Sequence, residues 1–227
     1  MKIGRLARWY RWIEYTAFGR ALERSRFALL PRLAFTRRIL IPGEGDGRTL
    51  RQILAAAPRA HIDVVEISPE MIALAQAGVR GQAADYGRIT FQCQDARTVN
   101  WPNAQYDAIV TNFFIDCFSE ADARDLIGKL ANALKPNGIW LVAEFATPAS
   151  GWRRLHGQVW IRTMYRFFGF TTGLRATKLP PIDALLREAG MLCVEKEEQR
   201  AGLMVSERWT KSPAAGARRT SPGTSAP

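Results

Sequence analysis

Three glycines at alternate positions, Gly43, Gly45 and Gly47, stand between a short apolar run, Arg38 to Ile41, and a segment of helical periodicity, Thr49 to Ala57. This stretch constrains the fold more than any other. The apolar run reads as a buried strand. In the turn after it, glycine permits positive φ and lets the backbone approach a ligand closely. The helix that follows opens with free amide groups and a positive dipole end. Leu50, Ile53, Leu54 and Ala57 form its apolar stripe, and Pro58 stops it.

The alternation of strand and helix recurs along the chain. Ile62 to Ile67 reads as a second buried strand. Ser68-Pro69-Glu70 opens a helix with a capping hydroxyl, a proline at the first position and an acid against the dipole. That helix ends near Gly78, and Ile89–Cys93 and Tyr106–Asn112 read as strands three and four. Ser119 caps a long helix with a face of Leu126, Ile127, Leu130 and Leu134, and Lys135-Pro136-Asn137-Gly138 turns into a fifth strand, Ile139–Phe145. Pro181–Ala189 is a further helix; Cys193–Gln199 and Leu203–Trp209 flank a hairpin at Ala201-Gly202. This order implies an α/β three-layer sandwich: a seven-stranded, mostly parallel sheet, covered by helices and closed by an antiparallel C-terminal hairpin.

Two helices precede the first strand, one over residues 4–18 and one from Arg20 to Leu30 that ends before Pro31. The expected organisation is a helical N-terminal cap (1–37), a main domain (38–211) with an aromatic, basic insert (151–180), and a disordered tail (212–227). At 227 residues the chain has room for one domain with a full core. No apolar run approaches the roughly 20 residues of a membrane span, and residues 1–11 lack the apolar core of a secretory signal. Cys93, Cys117 and Cys193 are odd in number and scattered, which suggests neither disulfides nor a metal site. A cytoplasmic location is expected. The net charge of +11 is uneven: residues 1–38 hold ten basic side chains against Glu14 and Glu23, and 151–180 hold six with no acid. Such flanks suit the anionic inner face of a membrane, nucleic acid or an acidic substrate, and equally a solvated surface.

The spacing of the loop is informative. A dinucleotide-binding fingerprint would put a small residue at position 48, where this chain has Arg48. Gly43-Glu44-Gly45-Asp46-Gly47 instead resembles the loop of class I methyltransferases, and the resemblance extends over residues 38–145. It implies S-adenosyl-L-methionine as cofactor and places several residues around it. Glu66, followed by Ile67, would accept hydrogen bonds from both ribose hydroxyls; a carboxylate suits a vicinal diol because it offers two acceptor oxygens. Asp95 and Ala96 would hold the adenine, with Met71 beside the nucleoside. Asn112 and Phe113 would face the methionine part and the acceptor. The family usually carries an acid two residues before the first glycine, where this chain has Ile41; Glu44 or Asp46 is expected to take over the contact with the cofactor's ammonium or sulfonium end. The loop also resembles that of spermidine synthases, but where their pattern after strand four carries acids this chain reads Thr111-Asn112-Phe113-Phe114, and basic helices are expected where those enzymes carry N-terminal strands.

A general base is needed only if the acceptor must lose a proton. Asp116, Glu144 and His156 are the candidates; Asp116 reads equally as a loop acid capping the helix at Ser119, Glu144 as a structural acid, and His156 as a surface histidine. Tyr10, Trp12, Tyr15 and Phe18 resemble the cap of quinone and phospholipid methyltransferases. With Trp152, Trp160, Tyr165, Phe167 and Phe168 beside arginines, they suit a small hydrophobic or lipid-like acceptor, and peripheral contact with an anionic membrane. Core packing is the plainer account of most of these aromatics. RNA is the second choice of acceptor. Aminopropyl transfer and a cofactor-binding protein without turnover complete the alternatives.

Overall fold

The computed structural model describes residues 20–80, 86–146 and 179–212. In chain order the described elements are helix α1 (Ala21–Phe27), a 3-10 turn (Leu30–Leu33), β1 (Arg38–Pro42), α2 (Arg48–Ala56), β2 (His61–Glu66), α3 (Pro69–Val79), β3 (Ile89–Cys93) and β4 (Tyr106–Asn112). A 3-10 turn (Ile115–Cys117), α4 (Glu120–Ala133), β5 (Leu134–Phe145), α5 (Ile182–Glu188), β6 (Met191–Gln199), a turn at Arg200–Gly202 and β7 (Met204–Lys211) follow. The seven strands form one sheet in the order β3-β2-β1-β4-β5-β7-β6. β1 to β5 pair in parallel, and β7 runs antiparallel to both its neighbours, β5 and β6.

Alternation of side chains along the strands divides the core into two layers. Ile39, Ile41, Ile62, Val64, Ala108, Val110 and Leu141 pack on one face with Leu50, Ile53 and Leu54 of α2 and Leu30 and Leu33 of the first turn. Leu40, Val65, Ile109, Trp140 and Val142 pack on the other with Leu126, Ile127 and Leu130 of α4 and Leu185 and Leu186 of α5. Two helix starts use the caps expected of them: Ser68 Oγ accepts from Met71 N at 3.2 Å, and Ser119 Oγ accepts from Asp122 N at 3.2 Å.

Two details depart from the sequence reading. Pro31 lies inside a 3-10 turn rather than beyond a helix end, and the helix before it stops at Phe27. β5 begins at Leu134: this residue pairs with Tyr106, the ladder resumes at Ala108 with Ile139, and Lys135 to Gly138 form an irregularity within the strand. Leu134 thus belongs to the sheet, not to the face of α4.

Helix α1 is fastened across the sheet to β7. Ser206 Oγ donates to Ser25 O at 2.7 Å, and the buried Ser25 and Ser206 hydroxyls lie 3.0 Å apart. Arg32 grips Glu195 of β6 with two hydrogen bonds, of 3.1 and 2.7 Å, and Arg208 of β7 joins the same carboxylate at 2.8 Å. Among the described residues no helix is long and apolar enough to cross a membrane. The expected first helix (4–18), residues 151–178 of the expected insert (151–180) and residues 213–227 of the expected tail (212–227) lie outside the described residues.

Candidate cofactor and acceptor site

The chain runs outward from β1 to β3 and then returns to place β4 on the other side of β1. At such a switch point the loops at the carboxyl ends of the strands diverge and leave a crevice. Here it is a cavity of about 800 Å³, built by the loops after β1, β2, β3 and β4.

Four loop residues after β1 line it: Gly43, Glu44, Gly45 and Asp46. Gly45 has φ +71° with no atom within 4 Å of the place a Cβ would occupy, so the loop is bare on that side. Gly47 lies outside the lining and has a packing role: at φ +84°, a Cβ there would stand 2.7 Å from Cα of Ala75 in α3. The loop is held from β2. Glu66 accepts from Gly45 N at 3.1 Å with one oxygen and from Ser68 N at 3.0 Å with the other. A carboxylate has about four acceptor positions, so each oxygen keeps capacity for a ligand hydroxyl. Ile67 and Met71 also line the cavity.

From the loop after β3 come Asp95 and Ala96. Arg97 binds the Asp95 carboxylate, with Nη2 to Oδ2 at 2.6 Å and Nε 3.1 Å from both oxygens. These hydrogen bonds hold the Asp95 carboxyl below its usual range. Asn112 and Phe113 close the end of β4; Asn112 Nδ2 reaches Thr49 Oγ1 of α2 at 3.3 Å. Phe113 has φ +52°, unusual for a bulky aromatic residue and the kind of local strain that gathers at functional sites. Its ring packs 4.8 Å from that of Phe145, with the guanidinium of Arg26 at 5.2 Å. Phe114 and Phe118 meet edge to face at 5.0 Å and complete an aromatic wall.

The two acids in the loop are engaged differently. Asp46 pairs with Arg48 at 2.9 Å. Glu44 Oε1 accepts from Leu50 N at 2.8 Å and so caps α2, while its Oε2 is buried without a hydrogen-bond partner among the described residues. Burial pushes the Glu44 carboxyl up to about 8.

Behind the aromatic wall lie Asp116 and Glu144, both buried and neither in the lining. Glu144 Oε1 accepts from Phe114 N at 3.2 Å and Ile115 N at 2.9 Å, and its Oε2 is buried without a hydrogen-bond partner among the described residues. Desolvation, then the neighbouring Asp116, drive the Glu144 carboxyl well above the usual range; burial takes Asp116 up to about 6. Asp116 does not cap α4. Ser119 does that, and Asp116 packs beside Cys117, whose Sγ lies 3.5 Å from its Oδ1. His156 lies outside the described residues.

Lining residues missed in the sequence include Arg26, Arg48, Thr49, Arg97, Phe118 and Asp122. Thr49 and Arg48 follow directly from the glycine loop and were readable by adjacency. Arg26 had no such signal, because only the docking of α1 on β7 brings it there.

Residues 39–138 match the family model described as a methyltransferase domain. Among curated proteins the chain is similar to the ubiquinone/menaquinone biosynthesis C-methyltransferase UbiE of Rubrivivax gelatinosus, with 31% identity covering 58% of this chain and 44% of that protein. It is also similar to polyamine aminopropyltransferase 2 of Bacillus cereus, with 28% identity covering 50% of this chain and 33% of that one. The chain thus spans less than half the length of either relative. Among solved structures, the mitomycin 7-O-methyltransferase MmcR shares the fold at a TM-score of 0.65 and 14% identity, covering 86% of this chain and 55% of that one. The loop, the acid closing β2 and the sheet order are similar to those of class I S-adenosylmethionine-dependent methyltransferases, and residues 39–138 match the methyltransferase domain.

Proposed function

We propose that the protein transfers a methyl group from S-adenosylmethionine to a small hydrophobic or lipid-like acceptor. The observation that carries this reading is the division of one cavity into two walls. One is the glycine loop with Glu66 and Asp95; the other is aromatic, made of Phe113, Phe114 and Phe118 with Arg26 beside them.

The residues present fit the cofactor. Gly45 leaves the loop open to the cavity, and Glu66 is tied to two backbone amides in a way that fixes its oxygens for a diol. Ala96 and Met71 offer apolar surface to a base, and Asp95 an acceptor. When bound, the cofactor supplies a methyl group already activated by its sulfonium. The protein's own task is then chiefly alignment, which in favourable intramolecular models contributes of order 7–11 kcal/mol. The aromatic wall excludes water from the acceptor side, and the strained Phe113, anchored by its amide to Ala143 O at 2.7 Å, fixes where that wall stands.

An acceptor with an apolar body and an anionic or electron-rich head suits aromatic rings beside arginines. The UbiE relative, named for quinone biosynthesis, supports a greasy acceptor. Aminopropyl transfer is the second reading, supported by the aminopropyltransferase relative. A screen with methyl-labelled cofactor against lipid extract, total RNA and a protein fraction tests the proposal. Label in the lipid extract is expected. Label in RNA overturns the acceptor class, and transfer only from decarboxylated cofactor to a polyamine establishes the second reading instead. Absence of any transfer by protein that binds the cofactor favours a non-catalytic role.

A further inference from the structure

We propose that the Glu44 carboxyl group receives the cationic end of the bound cofactor, and that binding expels a proton from it. The inference rests on reading the cavity as an S-adenosylmethionine site, and it assigns one subsite within it.

The other acids of the lining are engaged: Glu66 by two backbone amides, Asp95 by Arg97, Asp46 by Arg48 and Asp122 by the Ser119 hydroxyl. Two carboxylate oxygens are buried without a hydrogen-bond partner among the described residues, Glu44 Oε2 and Glu144 Oε2. Of these two residues, only Glu44 lines the cavity. Position 41, two residues before the first glycine, is a buried isoleucine and supplies no charge. A carboxyl oxygen left buried and unpaired is costly when ionised, so the group stays protonated until a cation arrives.

Its surroundings fix the direction of the effect. Arg26 of α1 and the backbone amides of Leu50 and Thr49 favour the charged form, while Asp46 in the same loop disfavours it and is itself paired with Arg48. Desolvation outweighs them and holds the carboxyl up at about 8. A sulfonium or ammonium group placed against Glu44 adds the missing counter-charge. The carboxyl then ionises and its proton leaves to solvent. Binding at pH 7, where the group is still largely protonated, therefore releases a proton.

Calorimetric titration of the intact protein in two buffers of different ionisation heat measures the protons released. The ligands are S-adenosylmethionine, which carries both cations, S-adenosylhomocysteine, which keeps only the ammonium, and 5′-methylthioadenosine, which has neither. Proton release at pH 7 is expected with S-adenosylmethionine, with S-adenosylhomocysteine as well when the ammonium is the group received, and not with the third. Glu44→Gln keeps an oxygen to cap α2, so it retains the affinity for methylthioadenosine. It abolishes the proton release and weakens binding of the cationic ligands by roughly 10-fold or more, as expected for a lost charge-assisted contact. Loss for both ligands assigns the ammonium; loss for S-adenosylmethionine alone assigns the sulfonium. Unchanged affinity in the variant, absence of proton release, or equal loss for methylthioadenosine overturns the proposal. A wild-type protein that binds none of the three overturns the reading of the cavity itself.

Discussion

Gly45 and Gly47 share a left-handed backbone but differ in what surrounds them, and substitution separates the two roles. Gly47→Ala combines backbone strain with a contact of 2.7 Å against the backbone of α3, and should cost about 2–4 kcal/mol of stability. Gly45→Ala meets no neighbour within 4 Å; it should cost about 1 kcal/mol and instead weaken cofactor binding. Denaturation midpoints beside binding titrations check the pair, and an equal loss of stability in both contradicts it. Asp116 titrates with the opposite sign to a salt-bridged acid. Its folded-state value, about 6, stands above the ordinary 3.8, so the native state binds the extra proton. Its contribution is full below that ordinary value and is lost as pH rises toward and through 6. Asp116→Asn should therefore be more stable than the wild type near pH 7 relative to near pH 4, by of order 1–3 kcal/mol. Urea midpoints at the two pH values test this; a difference of the other sign rejects it. In the sequence, the positions of the glycines and Glu66 were readable because they follow from neighbours along the chain. The burial of Asp116 and Glu144 was not, since it depends on the aromatic wall that folds over them.

At the scale of elements, the attachment of α1 to β7 has the largest consequence for the site, because α1 carries Arg26 to the cavity. Ser206→Ala removes a buried hydroxyl that donates to Ser25 O and lies 3.0 Å from Ser25 Oγ. It should cost about 1–2 kcal/mol and loosen α1, measurable as faster amide exchange in residues 21–27. Unchanged exchange there would show that the apolar contacts of α1 suffice. Arg32 and Glu195 form an exposed pair, and Arg32→Ala should change little. β1, β2 and β4 were legible because each is a short, largely apolar run, and β3 and β4 begin and end where the sequence pattern places them. Leu134 was misplaced because it stands four residues after Leu130 and continues the helical stripe; pairing with Tyr106 decides its place. Pro31 was read as a helix stop, yet a proline at the start of a 3-10 turn leaves no amide unsatisfied.

For the whole molecule, the order of alternating strands and helices carries the fold, and the switch point between β1 and β4 carries the position of the cavity. The acceptor was less legible, since the aromatic and basic segments at 1–18 and 151–178 do not follow from the pattern of the sheet. The proposed binding mode lays an adenosyl group over the loop after β1, with its ribose on Glu66. Equilibrium binding of labelled S-adenosylmethionine to the wild type and to Glu66→Gln measures this directly. One molecule bound per wild-type chain and a loss of roughly tenfold or more in the variant are predicted; a wild type that does not bind, or a variant that binds as well as the wild type, contradicts it.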